Sequence, residues 1–315
     1  MAIAAIESGA EEIYVGLLHW SLRSPCFEMG LEQLRQVCEY AAPRGVTVRV
    51  ALNTYPWEDD LPSFDREIEH LLNIGVTSFI LADIGNIRSV RRDHPHVFIQ
   101  ASVAADVRNV NDVRALQVAG ADSVTLLRPS PGFIRQVKQE TGMKVEVFTY
   151  GYLNYTYRAR CYMSSYLRHA YTSGPSSRDQ ASGSFNREGF CNRACKCQWT
   201  ITDGHPEVAG VTMNSYPFVA IADLIELLRA GVDGLKVQGR ENSIGLVSEA
   251  VRLYRQILDG YRANPVGFVI AEATAEKARR IDLIRHEEMK SRSAVMIREM
   301  LGVAPDARNL VQRNR

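Results

Sequence analysis

Residues 46–83 read VTVRVALNTYPWEDDLPSFDREIEHLLNIGVTSFILAD, and this stretch decides the fold. Its two ends, 46–52 and 77–83, are short β-branched runs, apolar enough for strands buried on both faces. Between them, 63–75 has apolar residues at helical spacing and polar ones opposite, which predicts an amphipathic helix. A strand, helix and strand at this spacing make a parallel βαβ unit.

Outward from this unit the rhythm continues. Strands are expected at 12–16, 97–101, 122–128, 145–151 and 233–240, giving seven with the two above, and helices at 31–45, 109–120 and 218–231. Glycines close these helical segments shortly before the next strand, as helix C-caps. The expected fold is α/β, a TIM-like barrel rather than an open doubly wound sheet. Such a barrel needs eight strands, and this chain opens on a helix, AIAAIESGA.

Residues 1–151 form the first part of the barrel and 213–264 its end. Residues 152–212 interrupt the rhythm with a loop-rich excursion, and 265–315 form a helix-prone, charged tail. At 315 residues, 46% hydrophobic, the chain has ample material for a core. Its net charge of +1 gives no global case for nucleic acid. With no signal-like N-terminus and no apolar run of membrane length, a cytoplasmic protein away from membranes is expected. Thiols stay reduced in that compartment, so clustered cysteines read as metal-binding or catalytic.

Four of the six cysteines lie in the excursion: Cys161, Cys191, Cys195 and Cys197, with 29, 3 and 1 residues between successive members. Four thiolates hold either zinc or an iron–sulfur cluster, although paired C-x2-C knuckles are absent. Cys38 reads as a small buried side chain on a helix, and Cys26 as a reserve ligand.

The same segment interleaves Arg158, Arg160, Arg168, Arg178, Arg187, Arg193 and Lys196 with tyrosines, against Asp179 and Glu188. Arginine and tyrosine can contact phosphates and stack on bases, which allows an RNA substrate; alternatively they shield the cluster. The charge balance of the whole chain favours a small-molecule substrate.

In a βα-barrel the chemistry sits at the C-terminal ends of the strands. That rule selects Asn53, Asp83, Gln100, Ser102, Arg128, Lys236, Gln238 and Arg240, with Gln100, Arg128, Lys236 and Arg240 as the expected catalytic group. Each has a structural alternative, such as capping a helix for Asp83 or satisfying backbone groups for Gln100.

The motifs AIESGAEEIYVGL, VALNTYP, FILADIGNIRSVRRDHP, IQASVAADVRNVNDVRAL, VTLLRPS, EVFTYGYLNYTYRARCYMSSYL, GFCNRACKCQW, MNSYPF and AGVDGLKVQGRENS follow one another over residues 4–260. In that order they resemble the peptidase U32 family, whose members include oxygen-independent ubiquinone-biosynthesis proteins and tRNA and rRNA hydroxylation proteins.

The resemblance implies a barrel that normally begins with one further strand, a four-cysteine [4Fe–4S] cluster, and hydroxylation without molecular oxygen. The leading expectation is therefore an iron–sulfur enzyme acting on a small aromatic or specialised metabolite. RNA base hydroxylation, a non-catalytic partner in a heterodimer with another U32-family protein, and a peptidase are the alternatives. The peptidase lacks support from H-E-x-x-H or G-x-S-x-G motifs.

Where the family pattern carries its first cysteine, this chain has Asn154, so Cys197 is assigned as the fourth ligand. Tyr150 replaces a frequent histidine, and the closing motif has Gln238 and Asn242 in place of a carboxylate and a lysine. An amide cannot accept a proton at neutral pH, which removes one candidate base.

Overall fold

The computed structural model describes residues 1–22, 28–152 and 217–300, together with the backbone of five short strands lying between 156 and 201 and one at Val211–Met213. Helix α1 (Ala2–Glu7) leads into β1 (Glu12–Gly16), α2 (Leu31–Ala41), β2 (Thr47–Leu52), α3 (Leu61–Asn73) and β3 (Ser78–Leu81). Then come α4 (Ile84–Asp93), β4 (Phe98–Ala101), α5 (Val110–Ala119), β5 (Ser123–Leu126), α6 (Pro131–Thr141) and β6 (Lys144–Tyr152). In the excursion β7 (Thr156–Tyr157) pairs with β8 (Arg160–Cys161), β9 (Thr172–Ser173) with β10 (Asp179–Gln180), and β11 (Trp199–Ile201) with β12 (Val211–Met213). The chain returns through β13 (Pro217–Val219), α7 (Leu224–Arg229), β14 (Gly234–Val237), α8 (Ile244–Ala263) and α9 (Glu272–Met300).

Strands β1 to β6 pair in sequence order, every pair parallel, and β14 adds parallel to β6. All seven expected strands are present. The sheet curls until its last strand faces its first: Lys236 Nζ of β14 lies 4.3 Å from the Tyr14 ring of β1. Among the described residues, however, no hydrogen bonds join β1 to β14, so the barrel is incomplete.

Alternation along the strands sorts side chains between two faces. Val15, Val50, Phe79, Leu81, Ile99, Val124, Val145 and Val147 point outward and join the main core with Leu34, Phe64, Ile68, Leu71, Ile87, Val113 and Ile134 from the helices. Each such side chain contributes about 1.5–3 kcal/mol by leaving water. The apolar core is thus a shell between sheet and helices. The interior of the curl holds the polar groups, together with Ile80, Phe98 and Phe148.

Outside the excursion, sequence and structure differ at one expected helix, at three unexpected ones and at one strand. The expected helix over 218–231 exists only as α7; its first residues form β13, antiparallel to the end of β6 with Phe218 opposite Gly151. β6 runs nine residues, longer than its neighbours, and the excess edge is what β13 pairs with. Helices α4 and α6 were hidden by basic and polar composition, yet each has a side-chain cap: Asp83 accepts from Asn86 N and Ser130 from Phe133 N. The third, α8, continues from the closing motif behind its own cap, Ser243.

Gly75 and Gly120 end α3 and α5 with φ of 85° and 110°, a region costly for residues with a Cβ. The tail helix α9 is not merely peripheral: Ala278 and Ile281 are buried in a second core with Leu253, Tyr254 and Ile257 of α8.

Candidate functional site

On the inner face of the curl six of the parallel strands contribute Tyr14, Arg49, Gln100, Thr125, Glu146 and Lys236, and β3 contributes Ser78 and Ile80. Five of them are joined by hydrogen bonds. Glu146 Oε1 accepts from Lys236 Nζ at 2.6 Å, from Thr125 Oγ1 at 3.1 Å and from Gln100 Nε2. Gln100 Nε2 also donates to Thr125 Oγ1 at 2.6 Å, and its Oε1 accepts from Arg49 Nη1. Arg49 Nη2 then pairs with Glu12 Oε1 at 2.5 Å, and its guanidinium lies 4.5 Å from the Phe98 ring.

Burial opposes ionisation of Glu146, but the charge and hydrogen bond of Lys236, helped by Arg49 and Thr125, outweigh it and hold the carboxyl below its ordinary value of 4.5. The carboxylate is therefore ionised at neutral pH. Buried charges survive in a fold when paired in this way.

Gln100 and Lys236, two of the four residues expected to be catalytic, are thus brought together, but as members of the interior network. Arg240 lies higher. Its Nη1 donates to Ser21 Oγ at 3.3 Å and its guanidinium lies 5.2 Å from Tyr14, so Lys236 and Arg240 share one aromatic ring. Gly16 makes room for this: a Cβ there would lie 2.4 Å from Arg240 Nη1 and 2.5 Å from Ser21 Oγ. Ser21 in turn donates to Glu28, whose other oxygen accepts from His19 N.

Arg128 is exposed two residues beyond β5 with φ of 50°, an uncommon conformation for a residue with a Cβ. Asn53 and Ser102, both buried, bond each other at 3.1 Å, and they also accept from Leu22 N and Ala104 N. Asp83 caps α4 at 2.8 Å. For these three the structure displays the bonds of their structural alternatives.

At the closing motif Gln238 N donates to Tyr150 O and Asn242 Nδ2 to Tyr150 Oη at 3.0 Å. Arg285 of α9, fully buried, stacks 3.9 Å above the Tyr150 ring. Glu288, one turn on, accepts from Ser243 N and Oγ at 3.0 and 2.7 Å. Burial pushes the Tyr150 phenol well above its ordinary range, so it stays protonated. The tail helix therefore braces the loop that carries Arg240.

Of the proposed cluster ligands, only the backbone of Cys161 falls within the described residues, in β8 beyond the end of β6. Cys191, Cys195, Cys197, Asn154 and Cys26 lie outside them. No group of three His, Cys, Asp or Glu able to hold a metal occurs among the described residues. Cys38 is half-buried on α2, and burial raises its thiol above the ordinary range, in keeping with a packing role.

Sequence reasoning missed Glu146, Arg49, Glu12 and Tyr14. It also passed over Thr125. For Arg49, Thr125 and Glu146 a signal was present, one polar or charged residue flanked by apolar ones in TVRVAL, SVTL and KVEVF, the same pattern that holds Gln100 in FIQA and Lys236 in LKV. Read together, such positions mark the inside of a barrel.

Fold and site define an α/β-barrel protein with an ion-paired interior and a cysteine-bearing insert after its sixth strand. Residues 1–293 match the model of Peptidase family U32, and the chain belongs to that family. It is 27% identical over 285 residues to tRNA hydroxylation protein P1 of Bacillus subtilis (strain 168), covering 87% of this chain and 64% of that protein. Over 263 residues it is 29% identical to the 23S rRNA 5-hydroxycytidine C2501 synthase of Escherichia coli (strain K12), covering 82% of this chain and 38% of that one.

With tRNA hydroxylation protein P of Escherichia coli (strain K12) it shares 24% over 311 residues, covering 82% of this chain and 66% of the other. The chain thus spans from 38% to 66% of the length of these relatives. No described helix is long and apolar enough to cross a membrane.

Proposed function

We propose that this chain is the barrel portion of an RNA-hydroxylating protein, adding a hydroxyl group to a tRNA or rRNA base. The observation that carries this reading is its similarity to relatives named for hydroxylation of tRNA or 23S rRNA. It replaces the preference for a small aromatic metabolite, which rested on the near-zero net charge. A net charge averages over the surface, whereas Arg128 and Arg240 stand beyond the strand ends, where a phosphate or base edge would arrive.

Cys161, Cys191, Cys195 and Cys197 are proposed to hold a [4Fe–4S] cluster, since four thiolates are the donor set such a cluster takes. When bound it supplies electron transfer. The chain's own residues set the stage for substrate: Arg240 offers guanidinium donors, Tyr14 a ring face, and the Glu146 network a rigid floor whose charges are already neutralised.

The test is nucleoside mass spectrometry of tRNA and rRNA from anaerobic cells expressing the chain or its Cys191→Ser variant. A nucleoside one oxygen heavier, present only with the parent, is the expected result. RNA left unchanged, with a hydroxylated small phenol in the extract, would return the metabolite reading to first place.

A further inference from the structure

Arg240 sits in the turn Gly239–Asn242, closed by Asn242 N donating to Gly239 O at 2.9 Å. The turn is held from more than one side. A Cβ on Gly239 would lie 2.9 Å from Val247 Cγ2, so the backbone presses on α8 where the turn begins. Gln238 N, just before the turn, donates to Tyr150 O at 2.8 Å, and Asn242 Nδ2, at its end, donates to Tyr150 Oη at 3.0 Å. Tyr150 therefore grips both ends of the segment that carries Arg240, one with its backbone and the other with its phenol.

The ring of Tyr150 is in turn set by α9. Arg285 is fully buried, its guanidinium carbon 3.9 Å from the ring centre and its Nη2 2.6 Å from Asp282 Oδ1. An apolar side chain of similar volume would fill this position without desolvating a charge. What the guanidinium adds is attraction to the ring face, strongest out of water, which fixes the ring plane and so the place of its oxygen. One turn on, Glu288 accepts from Ser243 N and Oγ at 3.0 and 2.7 Å. Ser243 directly follows the turn and is the N-cap of the 20-residue α8, its Oγ accepting from Leu246 N. A carboxylate there also meets the positive end of the helix.

We propose that Arg285 and Glu288 are positioning residues for substrate: acting through Tyr150 and Ser243, they set where the Arg240 guanidinium meets RNA and couple α9 to the barrel mouth. What Arg240 holds rests on the RNA reading; the coupling itself does not. Linkage makes such coupling reciprocal, so RNA held by Arg240 stabilises the docking of α9 as much as docked α9 strengthens the hold on RNA.

The variants are Glu288→Ala, Glu288→Gln, whose amide keeps an acceptor for Ser243, and Arg285→Lys, which keeps the buried charge but loses the planar group. Each is also made in an Arg240→Ala background. Hydrogen exchange on the purified chain without RNA reads the amides of Gln238 and Asn242, and anisotropy reads binding of fluorescently labelled, unfractionated tRNA. Exchange at those two amides is expected to quicken about tenfold in Glu288→Ala and Arg285→Lys, with the Ile99 amide of β4 unchanged and Glu288→Gln close to the parent. Binding of tRNA should fall about fivefold for Glu288→Ala alone but by less than about twofold beside Arg240→Ala, where no guanidinium is left to position. Added tRNA should slow exchange of α9 between Ile281 and Glu288 in the parent and not in Arg240→Ala.

Unchanged exchange at Gln238 and Asn242 overturns the proposal. So does an equal loss of tRNA binding in the two backgrounds, because α9 then acts on the fold as a whole. If the parent binds no tRNA, the RNA reading falls, and the exchange data alone decide whether α9 sets the turn.

Discussion

Lys236 Nζ and Glu146 Oε1 meet at 2.6 Å in the barrel interior although 90 positions separate them in the chain, and this pair ties the last strand to the sixth. The Lys236 and Glu146 side chains are only 6% and 14% exposed, so neither charge has water to fall back on. Lys236→Met strands the carboxylate, and a destabilisation of about 3–5 kcal/mol is expected. Combining it with Glu146→Leu should recover part of that loss. Urea midpoints of the two variants decide the matter; a single variant as stable as the parent would show that the pair contributes nothing.

The same carboxylate sets an acid limit. Its folded pKa lies below the ordinary 4.5, so the folded state holds its proton less readily than the unfolded chain does. Stability from this group is present in full above 4.5, declines as the pH falls through that value, and is gone once the pH passes below the depressed folded value. Denaturation profiles between neutral pH and the acid transition should show this slope for the parent and a shallower one for Glu146→Gln.

Gly16→Ala separates stability from substrate handling. The added methyl meets the mobile end of Arg240 and the Ser21 hydroxyl, which can shift at a cost within about 1–3 kcal/mol. Because Arg240 must move, the proposed RNA modification is expected to fall at least tenfold while the melting temperature drops only a few degrees. Arg240→Lys should reproduce the activity loss without the thermal shift.

Asp83→Ala checks a candidate that the structure reads as a cap. Loss of the bond to Asn86 N should cost about 1 kcal/mol. Activity per folded molecule should stay unchanged. A loss of turnover beyond tenfold would make Asp83 a participant instead.

For the cysteines, iron and acid-labile sulfide are to be measured on protein purified without oxygen. About four of each per chain is expected, and none in Cys197→Ser. Zinc alone in the parent would end the cluster assignment.

The strands were legible because each is a β-branched run of the right length, and their order followed from the helices between them. Helix α4 was not legible: IGNIRSVRRD spreads its apolar residues thinly, and its stability comes from an Asp83 cap and from packing Ile87 and Val90 against the sheet. β13 was invisible for another reason. Nothing local in PFV announces a strand; an overlong β6 elsewhere in the chain creates the edge it pairs with.

At the site, choosing polar residues at strand ends captured Arg240 at the mouth and also drew in Gln100 and Lys236. Their partner Glu146 escaped because it lies early in its strand, where loop chemistry is not expected. The bracing of Tyr150 by Arg285 depends on how α9 folds back, which no spacing in the sequence encodes.

The apolar shell and the polar interior occupy opposite faces of the same strands. Folding selects residues on one face, and the lining of the barrel is written on the other, at intervening positions. A lineage can therefore rewrite this lining without disturbing the apolar packing on the other face. What limits such drift is charge balance: a change at one member of the Arg49, Glu146 and Lys236 set calls for a matching change at another.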